Sequence, residues 1–272
     1  MIIRTILDQL ERWCPSWLSE SWDKCGLQLG DPDAEIDGGL VCLDVDDAAA
    51  SEAAAVHCGL IVSHHPLLFS PVQQIDESQP DGRLLAFLLR RRITVFSAHT
   101  NLDQIPGGVS DHLAAALGME PTAPLLPPAC AAGHDIPAGS GIGRLCIQDS
   151  PARVSEVCRR AERLPGFTGS FRNFEEDADV RRIAVMGGSF PDENLDDLVR
   201  LQVDLLVTGE IGYHDMLYLA ARGIRVVAIG HGCSERVVLK PLAARLRTEF
   251  PGIRWHVREA VAKVCPVQTD AI

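Results

Sequence analysis

Aromatic side chains are scarce in this 272-residue chain, where Phe, Trp and Tyr together make up 5%. Its core must therefore rest on Leu, Val, Ile and Ala, a composition that suits layered helices and sheets. A basic surplus is lacking too. The net charge is −12, which leaves no broad Lys/Arg face to neutralise a nucleic-acid backbone. The one basic run, Arg90-Arg91-Arg92, reads as a solvated helix end. No apolar run approaches the roughly 20 residues that span a bilayer, and Asp8, Glu11 and Arg12 interrupt the first stretch, so no leader is read. The nine cysteines are odd in number and form no C-x-x-C pair. Cys42, Cys146 and Cys158 sit inside apolar runs as small core residues. A disulfide framework is thereby excluded, and a soluble protein of the reducing cytoplasm is the expectation.

What the chain does have is a regular alternation. Apolar runs at residues 40–45, 60–63, 93–97, 142–147, 182–186, 205–208, 226–229 and 253–257 read as strands. Between them, residues 3–13, 46–58, 84–91, 109–117, 154–164, 216–221 and about 234–247 carry helical patterns, as does the run through Leu195, Leu198 and Leu201. Residues 22–30 and 165–179 read as loops, and 121–141, with five prolines, as a connection or irregular insert. Such alternation predicts an α/β protein whose mostly parallel sheets are flanked by helices on both faces in three layers.

Four segments bring metal-type ligands to the ends of such runs. They are Ser63-His64-His65-Pro66, the stretch from Ser97 through His99 to Asp103, Thr208-Gly209-Glu210 with His214 beyond it, and Gly230-His231-Gly232-Cys233-Ser234-Glu235. Open α/β sheets place their sites at the carboxyl ends of strands, and imidazole with carboxylate is the donor set for zinc, iron or manganese. On an extended strand the neighbours His64 and His65 would point to opposite sides and could give one imidazole to each of two ions. His231 and Glu235, four apart, would share a helix face, and the Asp103 carboxylate could bridge two cations. Two such ions about 3.5–4 Å apart can activate water and hold the attacked oxygen. Glu210 and His214, again four apart, also fit a plain helix-surface pair. Gly187-Gly188-Ser189 reads as an ordinary turn, Cys233 as a buried or supporting thiol, and His99 as a hydrogen-bonding neighbour.

Taken in order, Ser-His-His-Pro-Leu-Leu-Phe at 63–69, Thr-Asn-Leu-Asp at 100–103, Thr-Gly-Glu at 208–210 and Gly-His-x-x-Ser-Glu at 230–235 resemble the Nif-three-like dinuclear-metal-centre family. Members of that family are often called type 2 GTP cyclohydrolase I. Trp22-Asp23-x-x-Gly26-Leu27-Gln28 resembles its N-terminal signature, with Lys24 in place of the usual Asn. The resemblance runs from residue 3 to about 260. It implies two α/β domains, the first from residues 1–105 with 228–272 and the second from 106–227, without the ferredoxin-like insert of longer members. By the same resemblance His64, His65, Asp103, His231 and Glu235 match the metal ligands, while Glu210 and His214 match residues close to the site. A toroidal homohexamer is implied as the assembly.

These readings lead to a dinuclear metal-binding protein, a hydrolase of GTP cyclohydrolase type. It would use two divalent ions (zinc, iron or manganese) on a nucleotide substrate, with Glu210 or His214 moving protons. The rival is a metal-binding regulatory or interaction protein without turnover. A nucleic-acid-linked phosphoesterase is disfavoured by the missing basic stripe.

Overall fold

The computed structural model describes residues 1–128 and 133–260, in two compact units. Residues 129–132 of the proline-rich connection, and the end of the chain from 261, lie outside the described residues. The first unit holds Met1–Ile105, residues 133–135 and residues 239–260, and the second holds Pro106–Pro128 and Ile136–Val238.

The first unit opens with α1 (Ile3–Trp13), β1 (Gly26–Leu29), β2 (Gly38–Cys42), α2 (Asp47–Ala55), β3 (Leu60–Ser63), α3 (Pro80–Arg90), β4 (Thr94–Ser97) and α4 (Thr100–Gln104). The second contains α5 (Val109–Ala116), β5 (Ala123–Pro124), β6 (Arg144–Arg153), α6 (Val154–Ala161), β7 (Phe171–Arg172), β8 (Asp179–Ser189), α7 (Leu195–Arg200), β9 (Leu205–Glu210), α8 (Tyr213–Ala220), β10 (Arg225–Ala228) and α9 (His231–Glu235). The chain then rejoins the first unit with α10 (Leu239–Glu249) and β11 (Arg254–Val257).

In the first unit the strand order is β1-β4-β3-β2-β11. The pairs β11–β2, β2–β3 and β3–β4 are parallel, and only the edge strand β1 runs antiparallel, against β4. Every residue of β2, β3 and β4 is buried, as expected of parallel strands covered on both faces. Gly39 is required here, because the Trp255 ring of the neighbouring strand stands where a Cβ on residue 39 would be. The α1 helix packs Ile3, Ile6, Leu7 and Leu10 inward at amphipathic spacing.

The second sheet has the order β5-β6-β8-β9-β10-β7. Its centre, β8-β9-β10, is parallel, while β6, β5 and β7 add antiparallel strands outside it. Alternate residues of β9 feed two different cores. Val207 joins Leu113, Val157 and Val185, whereas Leu206 joins Leu198, Leu219 and Val226. This two-residue period puts helices on both faces of the sheet. Beneath it the buried Arg144 makes a two-pronged ion pair with Asp111 (2.8 and 2.7 Å) and donates to the carbonyls of Gly141 and Gly143.

Several elements differ from the sequence reading. Residues 26–29 form the edge strand β1, where a loop is expected, because pairing with β4 supplies the ladder that four residues alone do not announce. The short β7 lies inside the 165–179 loop and is held by two pairings to β10. The chain rejoins the first unit at Leu239 where the resemblance implies 228, since α9 packs on β8 and β9. No described helix is long and apolar enough to cross a membrane.

Candidate metal centre

In the first unit, β3 and β4 end side by side at Ser63 and Ser97, whose hydroxyls are 2.8 Å apart. Beyond β3 the ladder to β2 continues for two steps, with His64 N donating to Cys42 O and His65 N to Leu43 O. The chain bends at these two residues, so strand alternation no longer governs their side chains. Contrary to the opposite-side expectation, the rings of His64 and His65 lie 5.2 Å apart, and His99 completes a group with them. Ring nitrogens of His64, His65 and His99 all fall within 4.8 Å of one another, a group that can hold a metal ion.

Each of these rings is tied at Nδ1. His64 meets the carbonyl of Ala98 at 2.9 Å, His65 the carboxylate of Asp44 at 2.7 Å and His99 the carboxylate of Asp23 at 2.8 Å. Metal-ligating histidines are oriented in this way, with one nitrogen bound to a carbonyl or carboxylate and the other turned to the ion. The donor set therefore fits a divalent cation. Asp103 stands in the single turn of α4, and its Oδ1 is 3.8 Å from His64 Nε2. Burial by itself raises the Asp23 carboxyl, but hydrogen bonds from His99, Cys25 and Thr100 outweigh it and hold the group below the usual carboxylate range. Burial, helped by the bond to Asp23, pushes the Cys25 thiol up to about 12, so Cys25 is a neutral donor.

In the second unit, α9 begins at His231, three residues earlier than expected, and ends at Glu235, so the i, i+4 pair spans the whole helix. His231 Nε2 lies 3.2 Å from Glu235 Oε1, and its Nδ1 lies 3.1 Å from Glu210 Oε2. Ser189 Oγ donates to the same Glu210 oxygen at 3.1 Å. Glu235 is only 3% exposed. Its room comes from Gly188, which adopts φ +70°, and where an added Cβ would stand 2.5 Å from Glu235 Oε1. The turn read as ordinary is thus shaped around a carboxylate. Ser234 secures it, accepting from Gly188 N at 2.9 Å and donating to His231 O at 2.7 Å.

Glu210 ends β9 and His214 is the second residue of α8, which begins after Gly212, so they are not a pair on one helix. His214 is exposed, and its ring meets that of Tyr213 at 5.4 Å. Cys233 points into the core, where burial pushes its thiol up to about 11. The sequence reading gave Asp44 no part in the site, named Asp23 and Ser234 only within their motifs, and took Gly188 and Ser189 as an ordinary turn. Asp44 carries the same strand-end signal as the chosen segments, two residues beyond β2, and was accessible to the same rule.

Both α/β units carry side chains with nitrogen and oxygen donors, and His64, His65 and His99 form a group that could hold a metal ion. The chain belongs to the Duf34/NIF3 (NGG1p interacting factor 3) family, whose model matches residues 1–266. It is 32% identical over 262 residues to the GTP cyclohydrolase 1 type 2 homolog of Streptomyces coelicolor, covering 95% of this chain and 90% of that one. The homolog of the same name in Clostridium acetobutylicum is 28% identical over 233 residues, 86% of this chain and 85% of that one. Among solved structures, Staphylococcus aureus protein SA1388 shares the fold at a TM-score of 0.85 with 22% identity, covering 98% of this chain and 99% of that one. A Bacillus cereus protein related to NIF3 does so at 0.83 with 20% identity, covering 97% and 98%.

Proposed function

We propose that the chain is a metal-dependent hydrolase using two divalent ions, of zinc, iron or manganese type, with His64, His65, Asp103, His231 and Glu235 as ligands. The observation that carries the reading is the anchoring of His64, His65 and His231 at Nδ1, by Ala98 O, Asp44 and Glu210. Such anchoring is what metal-bound imidazoles need and what a solvated surface histidine lacks. Divalent ions at these donors supply Lewis acidity and bring the pKa of a water toward about 7.

The substrate proposed is a purine nucleotide such as GTP, hydrolysed at the ring carbon between the imidazole nitrogens, as the name shared by the relatives implies. Glu210 accepts and returns the proton. It is the more exposed of the two carboxylates at His231, 58% accessible, and it touches both His231 and Ser189. His214, exposed in the first turn of α8, is the second candidate for proton transfer. A toroidal homohexamer in the cytoplasm belongs to the same proposal and is read by analytical ultracentrifugation.

Elemental analysis of purified protein, followed by assay of GTP turnover before and after chelation, tests the reading. Two ions per chain and chelator-sensitive turnover are expected. Equal turnover by metal-stripped protein sinks it. Two tightly held ions with no turnover on any nucleotide would favour the non-enzymatic metal protein instead.

A further inference from the structure

The segment Trp22-Asp23-Lys24-Cys25-Gly26-Leu27-Gln28 stands out in the sequence, yet the ligand set above gives it no part. In the structure it closes around one imidazole. The Asp23 side chain is fully buried, and among the described residues its one ion-pair partner is His99. A buried carboxylate is costly unless its lone pairs are filled. Those of Asp23 accept from His99 Nδ1 (2.8 Å), Thr100 N (3.0 Å), the Thr100 hydroxyl, Lys24 N (2.6 Å) and Cys25 Sγ (2.9 Å). Because every donor but His99 is main chain or firmly packed, the acceptor facing His99 has a set position. A ring donating its Nδ1 proton to a carboxylate keeps Nε2 as a lone pair.

Two further contacts complete a clamp. Trp22 meets the His99 ring edge-on, with centroids 6.0 Å apart at 74°. Gln28 binds its own segment through the carbonyls of Lys24 (2.6 Å) and Gly26 (3.2 Å), and its Oε1 accepts from Leu68 N at 3.2 Å. The segment is thereby tied to the loop that follows His65. A ring nitrogen of His99 lies within 4.8 Å of those of both His64 and His65.

We propose that His99 is a further nitrogen donor to the divalent ion held beside His64 and His65, and that Asp23 and Trp22 are its positioning residues. The inference rests on the metal-binding half of the proposed function and is independent of the substrate. It gives the N-terminal motif a chemical purpose, which is to choose the tautomer of His99 and stop its ring from turning.

Histidine-labelled metal-free protein is studied first, by proton–nitrogen NMR. His99 should carry its proton on Nδ1, and its Nε2 resonance should move when cadmium(II) is added. Cobalt(II) is then titrated against a competing chelator, with the visible spectrum recorded, for the wild type, His99→Gln, Asp23→Asn and Trp22→Ala. The two polar substitutions should weaken cobalt binding by about 10–100-fold, the range for disturbing the partner of a metal-bound histidine, and should alter the visible bands. Trp22→Ala should give a smaller loss in the same direction. Unchanged affinity and spectrum in folded His99→Gln overturn the inference, as does a proton on Nε2 or an Nε2 resonance that ignores cadmium. The NMR arm decides the matter if the variants fail to fold. Wild-type protein that binds cobalt but leaves GTP intact defeats the proposed reaction while leaving this inference standing. Wild-type protein that binds neither cobalt nor cadmium ends both.

Discussion

The two units hold their donors in contrasting ways. In the first, three imidazoles sit at the ends of neighbouring parallel strands, and their anchors are a main-chain carbonyl and two carboxylates. His64 is 1% exposed. In the second, one imidazole on a five-residue helix stands between two carboxylates, one buried and one open to water. Strand ends buried on both faces give rings little freedom, so the first set is rigid before any ion arrives. The second pairs a buried carboxylate, Glu235, with a solvent-exposed one, Glu210. Buried, tied nitrogen donors suit holding an ion, while a solvated carboxylate suits moving a proton.

The contrast can be broken most forcefully by deleting the rigid half. His64→Ala combined with His65→Ala should abolish tight metal binding and bring GTP turnover to background, as read by metal analysis and product assay. Retained turnover would show that the strand-end imidazoles are not ligands. The more exposed half should respond differently. Glu210→Gln should keep its metal yet lose about 10²–10⁴-fold in kcat, the usual worth of a positioned proton acceptor; a variant that instead loses its ions and keeps kcat per bound ion would make Glu210 a ligand. An intermediate effect is expected at the anchor of His65, where Asp44→Asn should weaken metal binding by about 10–100-fold while leaving the stoichiometry intact, measured by chelator competition. The smallest effect falls on Gly188→Ala. A side chain at φ +70° costs about 1–2 kcal/mol, and its Cβ would press on Glu235. Urea unfolding of metal-free protein should show that loss, and metal affinity should fall with it. An alanine variant of full stability and affinity would mean that Glu235 is not held as described.

Much of the fold was legible in the chain. The strands with continuous apolar runs, β2, β3, β4, β8, β9 and β10, are apparent because parallel strands covered on both faces must be apolar along their length. Short edge strands were not apparent. β1 and β7 carry little apolar signal and exist through their pairing with β4 and β10. The strand-end rule picked out His64, His65, His231 and Glu235 as candidates, and the structure brings His64 to His65 and His231 to Glu235. It gave His99 only a neighbour's role, because spacing carries no information about what holds a ring. It placed Glu210 at a strand end, as observed, while the alternative of a helix-surface pair with His214 fails because the helix begins only after Gly212.

Residue type and local pattern were settled by the sequence alone. Strand ends carry imidazoles and carboxylates, four-residue spacing joins His231 to Glu235, and an acidic, aromatic-poor chain builds layered α/β units. Which group ties each ring at Nδ1 was decided by the tertiary structure. His65 finds Asp44 across 21 residues, His64 finds Ala98 across 34, and His99 finds Asp23 across 76. A tautomer is chosen by the group that touches the ring, and packing of the sheet brings that group from a distant part of the chain.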